Sequence, residues 1–410
     1  MPDSGPGKHR TCQSTRGKMY KIRTLNSIAV AGLRKLPRER YEVSSDIPRP
    51  DAIIVRSADM HSMEIPETVA AVGRAGAGVN NIPIQALSER GVPVFNAPGA
   101  NANAVKELVA ASLLLAARNI CDAWDYVRKL DGAADSLSAA VEAGKKQFVG
   151  FELPGRTLGV IGLGAIGVEV ANVALALGMK VVGFDPKITV RRAWQLSSAV
   201  QQVDTLDRLF KKSNAVTLHV PLIEATHHLV NRDRLALMPP KSVLINFARG
   251  GVVDNEAAIA ALDSGHLHAY VCDFPAPELI AHPKVVALPH LGASTTEAEE
   301  NCAIMVAENI KDYLENGNIR NSVNFPEAVM PRADAHRMTI ANANVPNMVG
   351  QISTCLARAG LNIEDLLNKS LGDVAYTIVD LDGPVPDETV NTLRSIKGVL
   401  ALRSLGKPIS

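Results

Sequence analysis

Leu158-Gly-Val-Ile-Gly-Leu-Gly-Ala-Ile-Gly167 is the stretch on which the fold turns. Leu158 to Ile161 reads as a buried strand, and Val168 to Leu177 continues as a helix that stops at Gly178. Between them stand Gly162, Gly164 and Gly167, with Ala165 and Ile166 opening the helix. A strand that turns sharply into a helix through glycines at this spacing does three things. The first glycine allows the tight turn, the second lets a pyrophosphate approach the backbone, and the third lets the helix lie close to the sheet. The helix N-terminus then offers unpaired N–H groups and a positive dipole end to phosphates.

The next strand, Lys180 to Phe184, ends at Asp185, eighteen residues after Gly167. A carboxylate there accepts hydrogen bonds from an adenosine ribose and repels a 2′-phosphate, so the pattern favours NAD over NADP. A glycine-rich turn beside an unrelated acid is the competing reading. Arg191 and Arg192 follow too far along to reverse the preference.

The alternation continues outward. Downstream come strands at Ala215-Val-Thr-Leu-His219, Ser242-Val-Leu-Ile-Asn246 and Val285-Val-Ala-Leu288, with helices near Val203 to Lys212 and Asn255 to Ser264. About six strands with crossover helices make a Rossmann-type doubly wound parallel sheet. Upstream, Ser27 to Ala31, Ala52 to Arg56 and Val92 to Asn96 read as strands of a second parallel α/β domain, with a helix over Val105 to Ala117. Asn321-Ser-Val-Asn-Phe-Pro326, with Pro331 beyond it, reads as a linker. From His336 the order is strand, helix, strand, strand, helix, strand, with helices near Asn347 to Ala359 and Pro386 to Ile396. That is a small ferredoxin-like α+β module. The expected divisions are a disordered leader over 1–18, a substrate domain over 19–116 and 305–325, a dinucleotide domain over 117–304, and the C-terminal module over 334–410.

Composition narrows the class. The 410 residues exceed one ordinary core. A hydrophobic fraction of 47% with only 4% aromatics implies aliphatic interiors. Lys and Arg number 43 against 42 acids, and no basic stripe with interleaved aromatics argues for nucleic acid. The apolar run Leu108 to Ala117 is about half of a bilayer span and is flanked by Glu107 and Arg118, so no membrane anchor is expected. The leader lacks an apolar core and is not a secretory signal. Five scattered cysteines without CxxC spacing suit a reducing cytoplasm and argue against a structural metal.

Two ionisable residues follow strands of the central domain. Arg249 lies in Asn246-Phe-Ala-Arg-Gly-Gly-Val-Val-Asp254, and His290 lies in Leu288-Pro-His-Leu-Gly-Ala-Ser-Thr295. Hydride transfer between a nicotinamide and a hydroxy acid needs a cation for the carboxylate and carbonyl and an acid/base for the hydroxyl proton. A guanidinium suits the first task, and an imidazole with a pKa near neutrality suits the second. Each residue taken alone is more ordinarily a polar surface group. Their place on the carboxyl edge of such a sheet shifts the balance toward chemistry.

The glycine loop with Asp185, the Asn246–Asp254 segment and the Pro289–Thr295 segment together resemble the signatures of the D-isomer-specific 2-hydroxyacid dehydrogenases, over about residues 20 to 325. The resemblance implies a flavodoxin-like substrate domain beside the Rossmann domain, and a catalytic set of arginine, glutamate and histidine. Carried over, Arg249 binds substrate and His290 is the acid/base. Glu278 stands five residues after Asp273 in Asp-Phe-Pro-Ala-Pro-Glu, the family spacing; anchored on Phe274-Pro275 instead, the register puts Pro277 at the glutamate position. The resemblance also places His219, Pro221, Phe247 and Ala248 beside the cofactor, together with Asp273, Gly292 and Ala293.

The segments around Arg56-Ser57, Arg74 and Asn96-Ala-Pro-Gly-Ala-Asn101 resemble those of family members that oxidise 3-phosphoglycerate to 3-phosphohydroxypyruvate with NAD, the opening step of serine synthesis. Arg56 and Arg74, each after an expected strand, would serve a phosphate. A structural ion pair is their plainer role. Lys145 or Lys146, of the same or a neighbouring subunit, would add a cation. The C-terminal module resembles an ACT domain, which implies L-serine as an effector at Asn344 and Asn362, or a purely architectural part in assembly. Asn342 and Asn347 depart from the usual pattern there. A homodimer or homotetramer is implied. Two rival readings stand beside this one: a dehydrogenase of an unphosphorylated acid (lactate, glyoxylate or 2-oxoglutarate), and a catalytically idle NAD-sensing protein.

Overall fold

Three sheets organise the chain in the computed structural model, which describes residues 19–130 and 134–408. The expected leader at 1–18 lies outside the described residues. Two compact units form: residues up to Ala97 together with those from Cys302 onward, and Pro98–Asn301.

The first unit holds a five-stranded parallel sheet of β1 (Tyr20–Leu25), β2 (Tyr41–Ser44), β3 (Ala52–Val55), β4 (Ala71–Arg74) and β5 (Val94–Phe95). Its order, β2-β1-β3-β4-β5, is the flavodoxin-like one. Pro98–Asn301 holds a seven-stranded parallel sheet of β6 (Thr157–Ile161), β7 (Lys180–Phe184), β8 (Gln201–Gln202), β9 (Ala215–Leu218), β10 (Ser242–Asn246), β11 (Leu267–Cys272) and β12 (Val285–Ala287), in the order β12-β11-β10-β9-β6-β7-β8. The first unit also carries an antiparallel sheet of β13 (His336–Ala343), β14 (Ile363–Leu371), β15 (Val374–Leu381) and β16 (Val399–Gly406), ordered β14-β15-β13-β16. With the helices Met348–Arg358 and Asp387–Ser395, that is the expected ferredoxin-like module.

The inner strands β6, β9 and β10 are mostly apolar and buried because both faces are covered, whereas β8 at the sheet edge is two exposed glutamines. Alternate residues point to opposite sides. Val216, Leu218 and Leu244 join one core with Leu209, Phe210, Leu235 and Leu262 from helices. Ala215, Val243 and Ile245 join the other with Val168 and Ala171 of the Ala165–Ala176 helix. Val105, Val109 and Leu113 of the Ala102–Ala117 helix belong to this second core. That helix therefore packs with the central sheet, and the boundary falls at Ala97/Pro98 rather than after residue 116.

Two local expectations give way. The apolar stretch Ser27 to Ala31 is not a strand. β1 ends at Leu25, Asn26 takes φ +68°, and the chain turns into the short helix Val30–Leu33. Asn26 Oδ1 accepts from the amides of Ser57 and Ala58, at 3.2 and 2.6 Å, so the turn is held by hydrogen bonds rather than by strand pairing. Nor is Asn321 to Pro326 a loose linker. Phe325 is buried, and Asn324 accepts from Val94 N at 2.8 Å while donating to Val92 O at 3.0 Å and Ser88 Oγ at 2.9 Å. A polar Asn-Ser composition, which usually marks solvent, here satisfies the edge of β5.

The C-terminal module is fastened as firmly. Arg337, fully buried, makes a two-pronged ion pair with Asp380, 2.7 Å at each prong. It also donates to the carbonyls of Asn316, Met330 and Pro331. Arg403 lies 4.4 Å over the Tyr313 ring and donates to Tyr313 O and Leu314 O, and Tyr376 Oη donates to Gly317 O. The last carbonyls of the Thr296–Asn316 helix, which have no partner within the helix, are thus met by side chains of the module. No helix among the described residues is long and apolar enough to cross a membrane.

Candidate active site

The register of the seven-stranded sheet lines up the last residues of six strands. Phe184 pairs with Ile161, Ile161 with Leu218, Leu218 with Asn246, Asn246 with Cys272, and Cys272 with Ala287. The next residue in each case is Asp185, Gly162, His219, Phe247, Asp273 and Leu288. Residues far apart in the chain are delivered side by side to one edge, and that edge is where open α/β sheets bind ligands.

At its centre Gly162 has φ +89°, and a Cβ there would lie 2.5 Å from His219 O. A Cβ on Gly167 would lie 1.9 Å from Gly162 O, so the helix can approach the turn only without a side chain. Gly164, the residue that opens the Ala165–Ala176 helix, is different. Its Cβ position has nothing within 4 Å, and no side chain caps the first amides. Space and unpaired N–H groups coincide there, as an anion requires. Asp185 ties the loop to β7, accepting from Leu163 N and Lys187 N at 2.8 Å each. A carboxylate retains further lone pairs for hydroxyl donors.

Arg249 follows β10 and is exposed, with Nη1 donating to Ala248 O at 2.6 Å. Its backbone is set by Asn246, a residue that sequence reasoning did not single out. The Asn246 side chain is fully buried, accepts from Ala248 N at 3.1 Å and donates to Arg249 O at 2.9 Å. The only signal in the sequence was a polar residue closing an apolar strand.

Asp273 is 1% exposed. One carboxylate oxygen accepts from Gly292 N at 3.0 Å, and the other, Oδ1, has no partner among the described residues. Burial raises its pKa above the ordinary carboxylate value, against the opposing pull of Gly292 N–H and of the charges on His290 and Arg249. His290 donates its backbone N–H to Asp273 O at 3.1 Å, and its exposed ring lies 5.0 Å from that of Phe274. His219 shares a 3.0 Å hydrogen bond with Thr217 Oγ1, and burial pushes its pKa down to about 3, so the ring is neutral. Pro221 O accepts from Thr226 Oγ1, which shapes the loop after β9. Arg249, Asp273, His290 and Gly292 therefore form one group.

The hydrogen bond of Glu278 goes to a residue outside that group. The carboxylate sits exposed in the first turn of the Pro277–Ile280 helix and accepts from Asn255 Nδ2 at 2.9 Å, a bond that lowers its pKa. An unpaired buried carboxylate oxygen, an open and uncapped helix N-terminus and a backbone-held acid at the end of β7 together fit a nicotinamide dinucleotide. Asp273 Oδ1 would accept from the carboxamide, and Asp185 would face the adenosine ribose.

In the other unit, Arg56 follows β3 and Arg74 ends β4, whose register pairs Val55 with Arg74. Arg74 Nε donates to Arg56 O at 3.0 Å. A Cβ on Gly76 would lie 1.6 Å from Arg74 Nη1, so glycine is what makes room for the guanidinium. Asn101, in Pro98–Asn301, precedes the Ala102–Ala117 helix without capping it, and its buried Oδ1 has no partner among the described residues. Lys145 pairs with Glu142. In the C-terminal module Asn344 donates to Gly372 O at 3.0 Å and lines a cavity of about 150 Å³ with Asn342, Asn347 and Asn368. Asn362 does not line that cavity; its backbone N–H donates to Asp382 Oδ1 at 3.0 Å.

Residues 110–292 match the NAD binding domain of the D-isomer specific 2-hydroxyacid dehydrogenases. The D-3-phosphoglycerate dehydrogenase of Methanocaldococcus jannaschii is 38% identical over 296 residues, 70% of this chain and 54% of that one. This chain spans about half the length of that protein and of two others like it. The Escherichia coli D-3-phosphoglycerate dehydrogenase is 33% identical over 83% of this chain and 82% of its own. The hydroxypyruvate reductase of Thermotoga maritima is 39% identical over 66% of this chain and 87% of its own. Among solved structures, the NAD+-bound 3-phosphoglycerate dehydrogenase of Entamoeba histolytica superposes with a TM-score of 0.57 at 25% identity, covering 74% of this chain and 98% of the other. With its glycine loop, Arg249 and His290 on one sheet edge and relatives of this identity over most of their length, the chain belongs to the D-isomer-specific 2-hydroxyacid dehydrogenase family.

Proposed function

We propose that the protein is an NAD-dependent D-3-phosphoglycerate dehydrogenase, oxidising 3-phosphoglycerate to 3-phosphohydroxypyruvate. The observation that carries the reading is the grouping of Arg249, Asp273 and His290 at the edge that also holds the glycine loop. NAD, when bound, supplies the hydride acceptor. Arg249 grips the substrate carboxylate and polarises the C2 oxygen, while a ring nitrogen of His290 takes the hydroxyl proton. Asp273 favours the resulting imidazolium by its charge. Arg56 and Arg74 hold the phosphate, a group for which an unphosphorylated monocarboxylate has no counterpart.

Residues 19–97 with 305–325 act as the substrate domain, Pro98–Asn301 as the dinucleotide domain, and 334–408 as a regulatory ACT domain. L-serine is its proposed effector at Asn344. Serine that changes neither turnover nor thermal stability rules that out. A homodimer through the dinucleotide domain is supported by Ile120, Trp124 and Val127, which lie on one face of the Ile120–Arg128 helix and are 44%, 60% and 51% exposed. Among the described residues no cysteine forms a disulfide, which fits a cytoplasmic enzyme.

The hydroxypyruvate reductase likeness supports a second reading, reduction of an unphosphorylated acid on the same chemistry. The test is NADH oxidation on adding 3-phosphohydroxypyruvate, beside hydroxypyruvate, glyoxylate, pyruvate and 2-oxoglutarate, with NADPH as control. Preference for the phosphorylated acid supports the proposal. Preference for an unphosphorylated one keeps the chemistry and removes the phosphate role of Arg56 and Arg74. NADH binding without turnover would leave an idle sensor.

A further inference from the structure

The glycine loop that receives the cofactor's pyrophosphate carries no charge of its own: Gly162-Leu-Gly-Ala-Ile-Gly167 offers amides and a bare methyl at Ala165. A cation approaches from elsewhere. A Cβ built on Gly99 would lie 2.6 Å from Ala165 Cβ and 3.7 Å from Arg192 Nη2, so the Arg192 guanidinium and the first residue of the Ala165–Ala176 helix meet at the same glycine. Gly99 has φ +80°. A side chain there would be strained and would also intrude between the two groups.

The position of Arg192 is built. It sits on the short helix Val190–Ala193 that follows β7 and Asp185. Its Nη1 donates to Gln195 Oε1 at 2.8 Å, which fixes the plane of the fork. The loop is pinned to the cofactor helix by Asn172, which donates to Gln195 O at 3.0 Å and accepts from Ser197 N at 3.0 Å. Nη2 finds no acceptor among the described residues, and none of their carboxylates lies in ion-pair reach of Arg192. Asp185, the nearest acid in the chain, is engaged by two backbone amides.

Resting on the NAD reading of this site, we propose that Arg192 is a cofactor-binding residue that supplies the cation for the dinucleotide's pyrophosphate at the open N-terminus of the Ala165–Ala176 helix. A guanidinium can bridge phosphate oxygens with parallel N–H bonds, which the uncharged loop cannot do. Arg192 therefore raises affinity for every ligand with the pyrophosphate and leaves nucleosides unaffected. Asp185, facing the ribose, keeps the site selective against a 2′-phosphate even with this cation nearby.

The experiment titrates the full chain and its R192A and R192K variants with NADH, NADPH, ADP-ribose and adenosine, following nicotinamide fluorescence or calorimetry. Loss of a hydrogen-bonded charge at a partly exposed site corresponds to about a tenfold weaker dissociation constant. The expected result is that loss for NADH and ADP-ribose in R192A, partial recovery in R192K, a shallower salt dependence, and adenosine binding unchanged. NADH affinity within twofold of the unaltered chain would overturn the proposal. So would an equal loss for adenosine, which would make Arg192 a loop-structuring residue, or a loss confined to NADPH, which would make it a 2′-phosphate reader. Failure of the unaltered chain to bind NADH would overturn the NAD reading itself.

Discussion

Replacing Asn246 with alanine tests whether Arg249, the arginine proposed to grip the substrate, depends on a buried amide. The side chain holds two backbone groups of the Arg249 loop, Ala248 N at 3.1 Å and Arg249 O at 2.9 Å. Truncation strands Ala248 N at about 1–3 kcal/mol and removes one of two donors from Arg249 O, which keeps Val252 N at 3.2 Å, at a smaller cost. That sum stays within the roughly 5–15 kcal/mol of an ordinary domain, so N246A folds and its urea midpoint falls. The loop then loses its reference point. An ångström of misplacement in a substrate-positioning group costs about a hundredfold in rate. Steady-state reduction of 3-phosphohydroxypyruvate should show kcat/KM reduced by about that factor, approaching the value for R249K, while NADH affinity changes much less. A variant that loses stability yet keeps kcat/KM within threefold would refute the reasoning, because the loop would then hold its shape without Asn246.

Other expectations follow from the same geometry. H290A should lose the chemical step by three orders of magnitude or more while NADH still binds. E278Q should alter kcat/KM by less than about threefold, since that carboxylate is bound to Asn255, and a hundredfold loss would return Glu278 to the catalytic set. D380A should lower stability by about 3–5 kcal/mol in urea unfolding by leaving the Arg337 charge buried and unpaired; a loss under 1 kcal/mol would contradict that burial. His219 should remain neutral by NMR at pH 5, because its folded value of about 3 lies below the unfolded 6.5. Its contribution to stability is then full above about pH 6.5 and is lost as pH falls toward 3, and titration near 6.5 in the folded protein would refute the assignment.

The central sheet was legible because its physics is repetitive. Strands covered on both faces must be apolar throughout, and Lys180 to Phe184 and Ser242 to Asn246 end where the apolar runs end. The glycine loop was legible because backbone approach excludes side chains, a constraint that acts locally and leaves the same residues wherever it occurs. What escaped were pairings set by distant chain. Asn324 looks like solvent-facing linker until its partners Val92 and Val94 are known. The Ala102–Ala117 helix could pack either way until the opposing face, Val168 and Ala171, is in place.

Glu278 and Asp273 show the same limit within the site. Spacing along the chain puts a glutamate five residues after the aspartate, but spacing fixes function only if the backbone between them takes one course. Here Pro275 and Pro277 lie in between, and Pro277 opens a short helix whose first turn carries Glu278 toward Asn255. Asp273 needs no such help. It directly follows a sheet residue in register with Asn246, and its own carbonyl accepts the backbone N–H of His290. A residue placed by sheet register is constrained by every neighbouring strand, whereas one placed by a loop is constrained only by the loop. The acid beside the histidine is therefore better sought at a strand end than by counting from one.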